Sequence, residues 1–229
     1  NFSLKEGVLW QDGKALTSDD VLFTIELMRT DSPVIPSDLR DFWTSVEVTA
    51  VNPTQIQFKL PEPFSPFLDY LTFGILPRHL LEGTSFDDLV DAPFNLKPVG
   101  SGPYQFDRII AENGKITGVV LSVNDQYYGS KPFIQQIVFR YYPDDASAWD
   151  AYRNGNVQGI AGVSKDILPE VLRDPELSLF TSRLPELSMV LFNLKSNDKP
   201  FLGETAVRKA LYTGTNRQRI IDQILDGQA

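Results

Sequence analysis

The chain has no cysteine among its 229 residues. That excludes disulfides, thiolate nucleophiles and cysteine-ligated metals in one step. It also fits an exported bacterial protein, because no thiol is left to mispair under oxidising conditions. Histidine is nearly absent as well: His79, in "ILPRHLLEG", stands alone. A single imidazole does not make a typical zinc site. Without a Gly-x-Ser-x-Gly elbow it has no serine of that kind to orient. Positive charge is in deficit, with 21 Lys+Arg against 30 Asp+Glu and a net charge of −9. Nucleic acids and anionic membrane surfaces both draw affinity from basic patches, so the balance argues against both. Long apolar runs are missing too. "GVVLSV" and "IVF" are strand-sized, far short of the roughly 20 residues of a membrane helix. Nothing near Asn1 has the pattern of a secretory leader, and "NFSLKEGVLW" reads as a strand already under way.

What is present is globular: 42% hydrophobic residues, with 16 prolines keeping the elements short. "SLKEGVLW" reads as a strand entering a turn at "QDGK". Thr17 is placed to cap a helix, with Asp20 three residues on in the position of a capping box. Val21, Ile25 and Met28 share one face of that helix, and "DSP" ends it. "SVEVTAVNPTQIQFKL" alternates twice around "NPT" and predicts a hairpin. "PFSPFLDYL" and "SFDDLV" are short helices, the second capped by Ser85, and 92–102 is a loop. "GPYQFDRII", "ITGVVLSVN" and "IQQIVFRYY" follow as strands, then "PDDASAWDAYRNG" and "SKDILPEVLRD" as helices, the latter with a break at Pro169. "LSLFTSRL" and "LSMVLFNL" read as strands, and "ETAVRKALYT" and "NRQRIIDQIL" as helices, with Gly227 as the final stop. Ile220, Ile221, Ile224 and Leu225 make one apolar face that needs a covering partner. The class is α/β, or α+β with mixed sheets.

Chemistry has few places to sit. Asp19-Asp20, Asp87-Asp88 and Asp144-Asp145 are paired carboxylates, the raw material of acid/base hydrolysis. Each pair also opens a predicted helix, where free N–H groups and the positive dipole end favour carboxylates. Capping predicts exposed groups at a helix start; a hydrolase built on Asp144-Asp145 predicts that the two share a pocket with at least one buried. Gly100-x-Gly102 in "VGSGPY" is a weak phosphate-loop match, since Pro103 removes a donor and no Lys-Ser/Thr follows. A tight turn into a strand is the simpler reading. Asn1-Phe2-Ser3 is a glycosylation triplet of the kind common by chance. Aromatics, dense in "FRYYPDDASAWDAY", name no ligand class by themselves.

Six segments, in order from Phe2 to Ala229, together resemble the family 5 extracellular solute-binding proteins, the dipeptide, oligopeptide and nickel receptors of ABC importers. They are "FSLKEGVLWQDGKALTSDDVLFTIELM", "ILPRHLLE", "PVGSGPYQF", "LSVNDQYYGSKPFIQQIVFRYYPD", "AYRNGNVQGI" and "LFNLKSNDKPFLGETAVRKALYTGTNRQRIIDQILDGQA". Three positions depart from the family's pattern: Asn156-Val157-Gln158 for its Glu-Ile-Asp, Asn216 for its Asp, and Tyr128 where Trp is common.

The resemblance implies part of a type II periplasmic-binding-protein-like fold of mixed α/β class. Residues 1–92 would be a small inserted subdomain, 93–185 a first-lobe core segment, and 186–229 a crossing strand and the start of the second lobe. It implies an internal fragment of a receptor whose ligand lies between two lobes closing like a hinge. Val34, Ala161, Gly162, Val163, Leu184, Met189 and Leu191 are the positions that would face that cleft. Met189, Leu191 and Asn193 share one strand face, consistent with this, although an ordinary core role for Met189 and Leu191 stays open. The implied protein is periplasmic or extracellular, with a surface lipoprotein among the options, and takes no cofactor and performs no covalent chemistry. It hands a small solute, a peptide first of all, to membrane permease subunits. Oligosaccharides, opines and metal chelates are the other ligands, and a hydrolase or a sensing module not coupled to transport are the other functions.

Overall fold

The structure, a computed structural model, describes residues 1–181, 189–195 and 198–225. It divides into two compact units, Asn1–Tyr142 and Pro143–Ala229. Unit one carries two three-stranded sheets. The first has β1 (Phe2–Ser3), β2 (Glu47–Asn52) and β3 (Gln55–Lys59) in the order β1-β3-β2, all antiparallel. The hairpin turns where "NPT" predicts it, and the Asn52 side chain fixes the turn by accepting from the Thr54 N–H at 3.0 Å.

Helix α1 (Ser18–Met28) begins as its sequence dictates: Asp20 Oδ2 accepts from the Thr17 N–H at 2.9 Å. Val21, Ile25 and Met28 bury against Trp43, Val46 and Ile56. Burial of each such side chain contributes about 1.5–3 kcal/mol. The helix is packed on a second side as well, where Phe23 and Leu27 meet Leu81. Helix α2 (Ser37–Ser45) supplies Trp43, and the Arg29 guanidinium donates to the Trp43 and Val46 carbonyls at 2.9 and 2.6 Å. A cation thus satisfies carbonyls that the end of α2 leaves open. "PFSPFLDYL" forms a 3-10 helix, Ser65–Leu71; α3 (Arg78–Leu81) and α4 (Phe86–Leu89) follow, and Pro93–Leu96 is another 3-10 turn.

The second sheet is a meander of β4 (Tyr104–Glu112), β5 (Lys115–Val123) and β6 (Gln136–Arg140). Asn113 and Gly114 connect β4 to β5 with φ of 52° and 75°, the left-handed pair of a two-residue hairpin. Gly118 lets β6 come close: a Cβ there would clash with the Phe139 carbonyl oxygen.

Gln11 joins the tight "WQDGK" turn to the second sheet. Its Oε1 accepts from the Gly100 N–H at 2.9 Å, and its Nε2 donates to the Tyr104 carbonyl at 2.7 Å. Buried Asn124 donates to the Gly102 carbonyl at 2.9 Å from the other side. Gly100-x-Gly102 is therefore a turn into β4, clamped by two amide side chains.

Unit two contains α5 (Asp145–Arg153), α6 (Leu168–Val171), a 3-10 turn (Pro200–Gly203), α7 (Thr205–Gly214) and α8 (Arg217–Ile224). Its core is Trp149, Ile167 and Val171, with the Trp149 N–H donating to Glu170 at 2.8 Å. Arg208 ties α7 to the turn before it through the Leu202 and Gly203 carbonyls.

Three expectations change. The strand expected over "SLKEGVLW" is only Phe2–Ser3, because Gly7, at φ 73°, turns the chain; a single bridge, Leu9 with Ala15, then closes the turn. Helix α6 is four residues long, with Pro169 in its first turn rather than in the middle of a longer helix. Among the described residues of "LSLFTSRL" and "LSMVLFNL" there is no strand, since nothing pairs with them to form a ladder. Leu184, the Ile224 side chain and Gly227 lie outside the described residues. Ile220 and Leu225 of the apolar face around α8 are 45% and 43% exposed.

Gln11→Ala removes both ends of the amide clamp and strands the Gly100 N–H. Denaturant unfolding of unit one is expected to lose about 1–3 kcal/mol; an unchanged midpoint would show that the clamp carries no load.

Candidate functional site

The carboxylate pairs resolve into caps and ties. Asp144 is the N-cap of α5, exposed, and accepts from the Ser147 N–H and hydroxyl, both at 2.7 Å. Those two hydrogen bonds hold its carboxyl below the usual range. Ser85 caps α4 by accepting from the Asp88 N–H, while Asp87 accepts from the Ser32 hydroxyl. Asp20 does more than its sequence position implied. It is 4% exposed, and beyond Thr17 it accepts from the Trp10 indole N–H at 3.3 Å and the Arg78 N–H at 2.9 Å.

His79 pairs with Asp12, Nε2 to Oδ2 at 2.6 Å, joining the "WQDGK" turn to α3. Partial burial pushes the Asp12 carboxyl up. The hydrogen bonds from His79 and the Lys14 N–H, together with the His79 charge, outweigh that and hold it below its ordinary 3.8. The lone histidine is thus engaged in a tie. Among the described residues no group of three or more His, Cys, Asp or Glu is arranged to hold a metal.

The six described positions among the seven expected at a cleft fall in separate places. Val34 lies in unit one, in the loop after α1, where the Ser32 hydroxyl accepts from its N–H at 3.2 Å and leaves the side chain 54% exposed. Ala161, Gly162 and Val163 lie in unit two. Val163 packs on the Trp149 cluster, while Ala161 and Gly162 stay exposed. A Cβ on Gly162 would sit 3.7 Å from Asp145 Oδ1, so this loop passes beside the first turn of α5. Met189 and Leu191 are 60% and 82% exposed, so within this chain they are not core. Leu184 lies outside the described residues. The six described positions do not line any of three cavities of unit one, of about 350, 340 and 280 Å³. The largest of those is polar, walled by Gln11, Asp12, Gln105, Asn124, Asp125 and Gln126. The sequence reading missed Gln11 and Asn124, because an amide that clamps a distant turn has no local spacing to mark it.

His79→Ala frees the Asp12 carboxyl. Its pKa is expected to rise toward 3.8, read by carboxyl NMR titration. The sign follows from linkage: a depressed carboxylate stabilises the fold above its unfolded pKa and loses that contribution as pH falls through the folded value. The variant should therefore lose its acid-sensitive share of stability; an unmoved Asp12 titration would refute the tie.

Comparison with known proteins follows the same lines. The chain matches the family model described as bacterial extracellular solute-binding proteins, family 5 Middle, over residues 1–229. A Brucella ovis protein whose name assigns it, provisionally, to peptide binding for an ABC transporter is 30% identical over 96% of this chain. The oligopeptide-binding protein AppA of Bacillus subtilis is 28% identical over 98% of it. The chain spans 40% of the length of each. Among solved structures, NikZ of Campylobacter jejuni with Ni(L-His) superposes with a TM-score of 0.72 at 26% identity, over 98% of this chain and 43% of that one. Bacillus subtilis AppA with a nonapeptide gives 0.68 at 26%, over 98% and 44%. The fold is accordingly part of a type II periplasmic binding protein. With its family model matched from end to end, the chain belongs to the family 5 bacterial extracellular solute-binding proteins.

Proposed function

We propose that this chain is an internal part of a substrate-binding receptor for an ABC importer, working outside the cytoplasmic membrane and carrying out no covalent step. The observation that carries the reading is the full-length family match, supported by the likeness to receptors solved with a nonapeptide and with Ni(L-His). A peptide is the leading ligand, since relatives of this chain are named for peptide and oligopeptide binding. The name of the Brucella ovis relative, which ties it to an ABC transporter, supports hand-over to membrane permease subunits. None of the described helices is long and apolar enough to cross a membrane.

In this reading residues 1–92 form the inserted subdomain, 93–185 the first-lobe core and 186–229 the crossing into the second lobe. Val34, Ala161, Gly162, Val163, Leu184, Met189 and Leu191 belong to the cleft. The exposure of Ala161, Gly162, Met189 and Leu191 supports that role, because apolar side chains and bare backbone left uncovered are available to a ligand. Gly162 admits close backbone approach. The exposed, capping Asp144 favours a receptor over a hydrolase.

Half a clamp grips poorly. Calorimetry of the 229-residue chain against a peptide library is expected to show nothing tighter than roughly millimolar, about −4 kcal/mol. The longer parent should co-purify with ligand, identifiable by native mass spectrometry. Micromolar binding by this chain alone would overturn the divided-cleft reading.

A further inference from the structure

Four Asp-Gly or Asn-Gly pairs occur in the chain, and three of them, Asp12-Gly13, Asn113-Gly114 and Asn154-Gly155, lie among the described residues. Each sets a side-chain carbonyl carbon one ring closure away from a backbone nitrogen whose residue has no Cβ to obstruct attack. In all three the glycine holds a positive φ, of 85°, 75° and 73°. What separates them is how that nitrogen and that side chain are engaged.

Two pairs are locked. The Gly13 N–H donates to the Trp10 carbonyl at 2.8 Å, and the Asp12 carboxylate is taken up by the Lys14 N–H and His79. The Gly155 N–H donates to the Tyr152 carbonyl at 2.8 Å, and the next N–H, of Asn156, closes the end of α5 on the carbonyl of buried Ala151 at 2.9 Å. Asn113-Gly114 differs. Among the described residues neither the Gly114 N–H nor the Asn113 side chain has a hydrogen-bond partner. Every residue from Ala111 to Ile116 is exposed. The β4–β5 ladder shifts register between Ile110 and Ala111, so the pairs Ala111–Ile116 and Glu112–Lys115 alone hold the turn beyond that irregularity. Ring closure requires the peptide plane between Asn113 and Gly114 to rotate, and an exposed tip held by so little opens readily.

We infer that Asn113 is a site of spontaneous deamidation, selected among these pairs by the free nitrogen of Gly114 and the loosely held tip of the β4–β5 hairpin. The Gly114 nitrogen, its proton taken by hydroxide, attacks Asn113 Cγ. The Cγ–Nδ2 bond breaks, ammonia leaves with a proton from water, hydroxide is regenerated, and a succinimide remains. Water then opens that ring at either carbonyl, giving aspartate or isoaspartate, and no other co-reactant is needed. Aspartate keeps the turn, since it tolerates the left-handed region. Isoaspartate adds a methylene to the main chain and no longer fits a two-residue turn. Either product places a new negative charge beside Glu112, which pairs with Arg140 at 3.5 Å. The site belongs to unit one and does not rest on the receptor reading.

The test keeps the 229-residue chain in mildly alkaline buffer at body temperature and follows it by tryptic peptide mass spectrometry. Cleavage after Arg108 and Lys115 isolates Asn113, and cleavage after Arg153 and Lys165 isolates Asn154. Asn113 is expected to convert at least about tenfold faster than Asn154, the factor that one retained hydrogen bond contributes. Isoaspartyl methyltransferase should label the 109–115 peptide. In denaturant the two Asn-Gly pairs lose their different surroundings, and their rates should draw level. Equal rates in the folded chain, a preference for Asn113 that persists in denaturant, or an unmodified Asn113 in either state overturns the proposal.

Discussion

A buried carboxylate organises the first unit. Asp20, nearly inaccessible to solvent, receives N–H groups from Trp10, Thr17 and Arg78. These come from the "WQDGK" turn, the start of α1 and the start of α3, so one side chain sets three backbone segments against each other. Burying a carboxylate is costly unless its oxygens find donors. Here the donors are fixed by local structure: a cap, an indole and a helix N-terminus. Gln11 then carries the position of that turn across to Gly100 and Tyr104, and so to the second sheet. Lys5 adds a second link, donating to the Tyr128 carbonyl at 3.0 Å while standing over its ring.

Much of this order was legible in the residues, and the reasons are local. The capped start of α1, its Val21–Ile25–Met28 face, the "NPT" hairpin and the α5 cap at Asp144 are all set by neighbours within a few positions. The paired strands β4 and β5 are read in the right places from their own segments, and Asn113-Gly114 joins them. What escaped depends on distant partners. The described residues of "LSMVLFNL", 189–194, have the composition of a strand, yet composition does not supply a neighbouring strand. "SLKEGVLW" was misread because one glycine at positive φ outweighs the β-forming residues around it. Asp20 was recognised as a cap but not as a hub, since Arg78 lies 58 residues away in the chain.

The candidate site was less legible than the fold for a related reason. The proposed cleft positions lie in scattered segments of the chain, and they carry no shared spacing. Gly162 and Val163 illustrate the division within three residues: Val163 turns inward to the Trp149 cluster, and Gly162 is left at the surface beside Asp145. Unit two also leaves large apolar side chains uncovered, among them Val190 at 79% and Leu191 at 82% exposure.

Helix α1 is packed on two sides, and eight of its eleven residues are buried. Asp19 and Glu26 are its exposed positions, and Leu22 is intermediate. These three fall at a spacing that makes a single narrow ridge. Polar substitutions along that ridge leave both cores untouched, while the buried apolar positions of the helix answer to one core or the other. The helix is in effect a wall shared by two rooms, and a change of volume on one side of it is felt on the other.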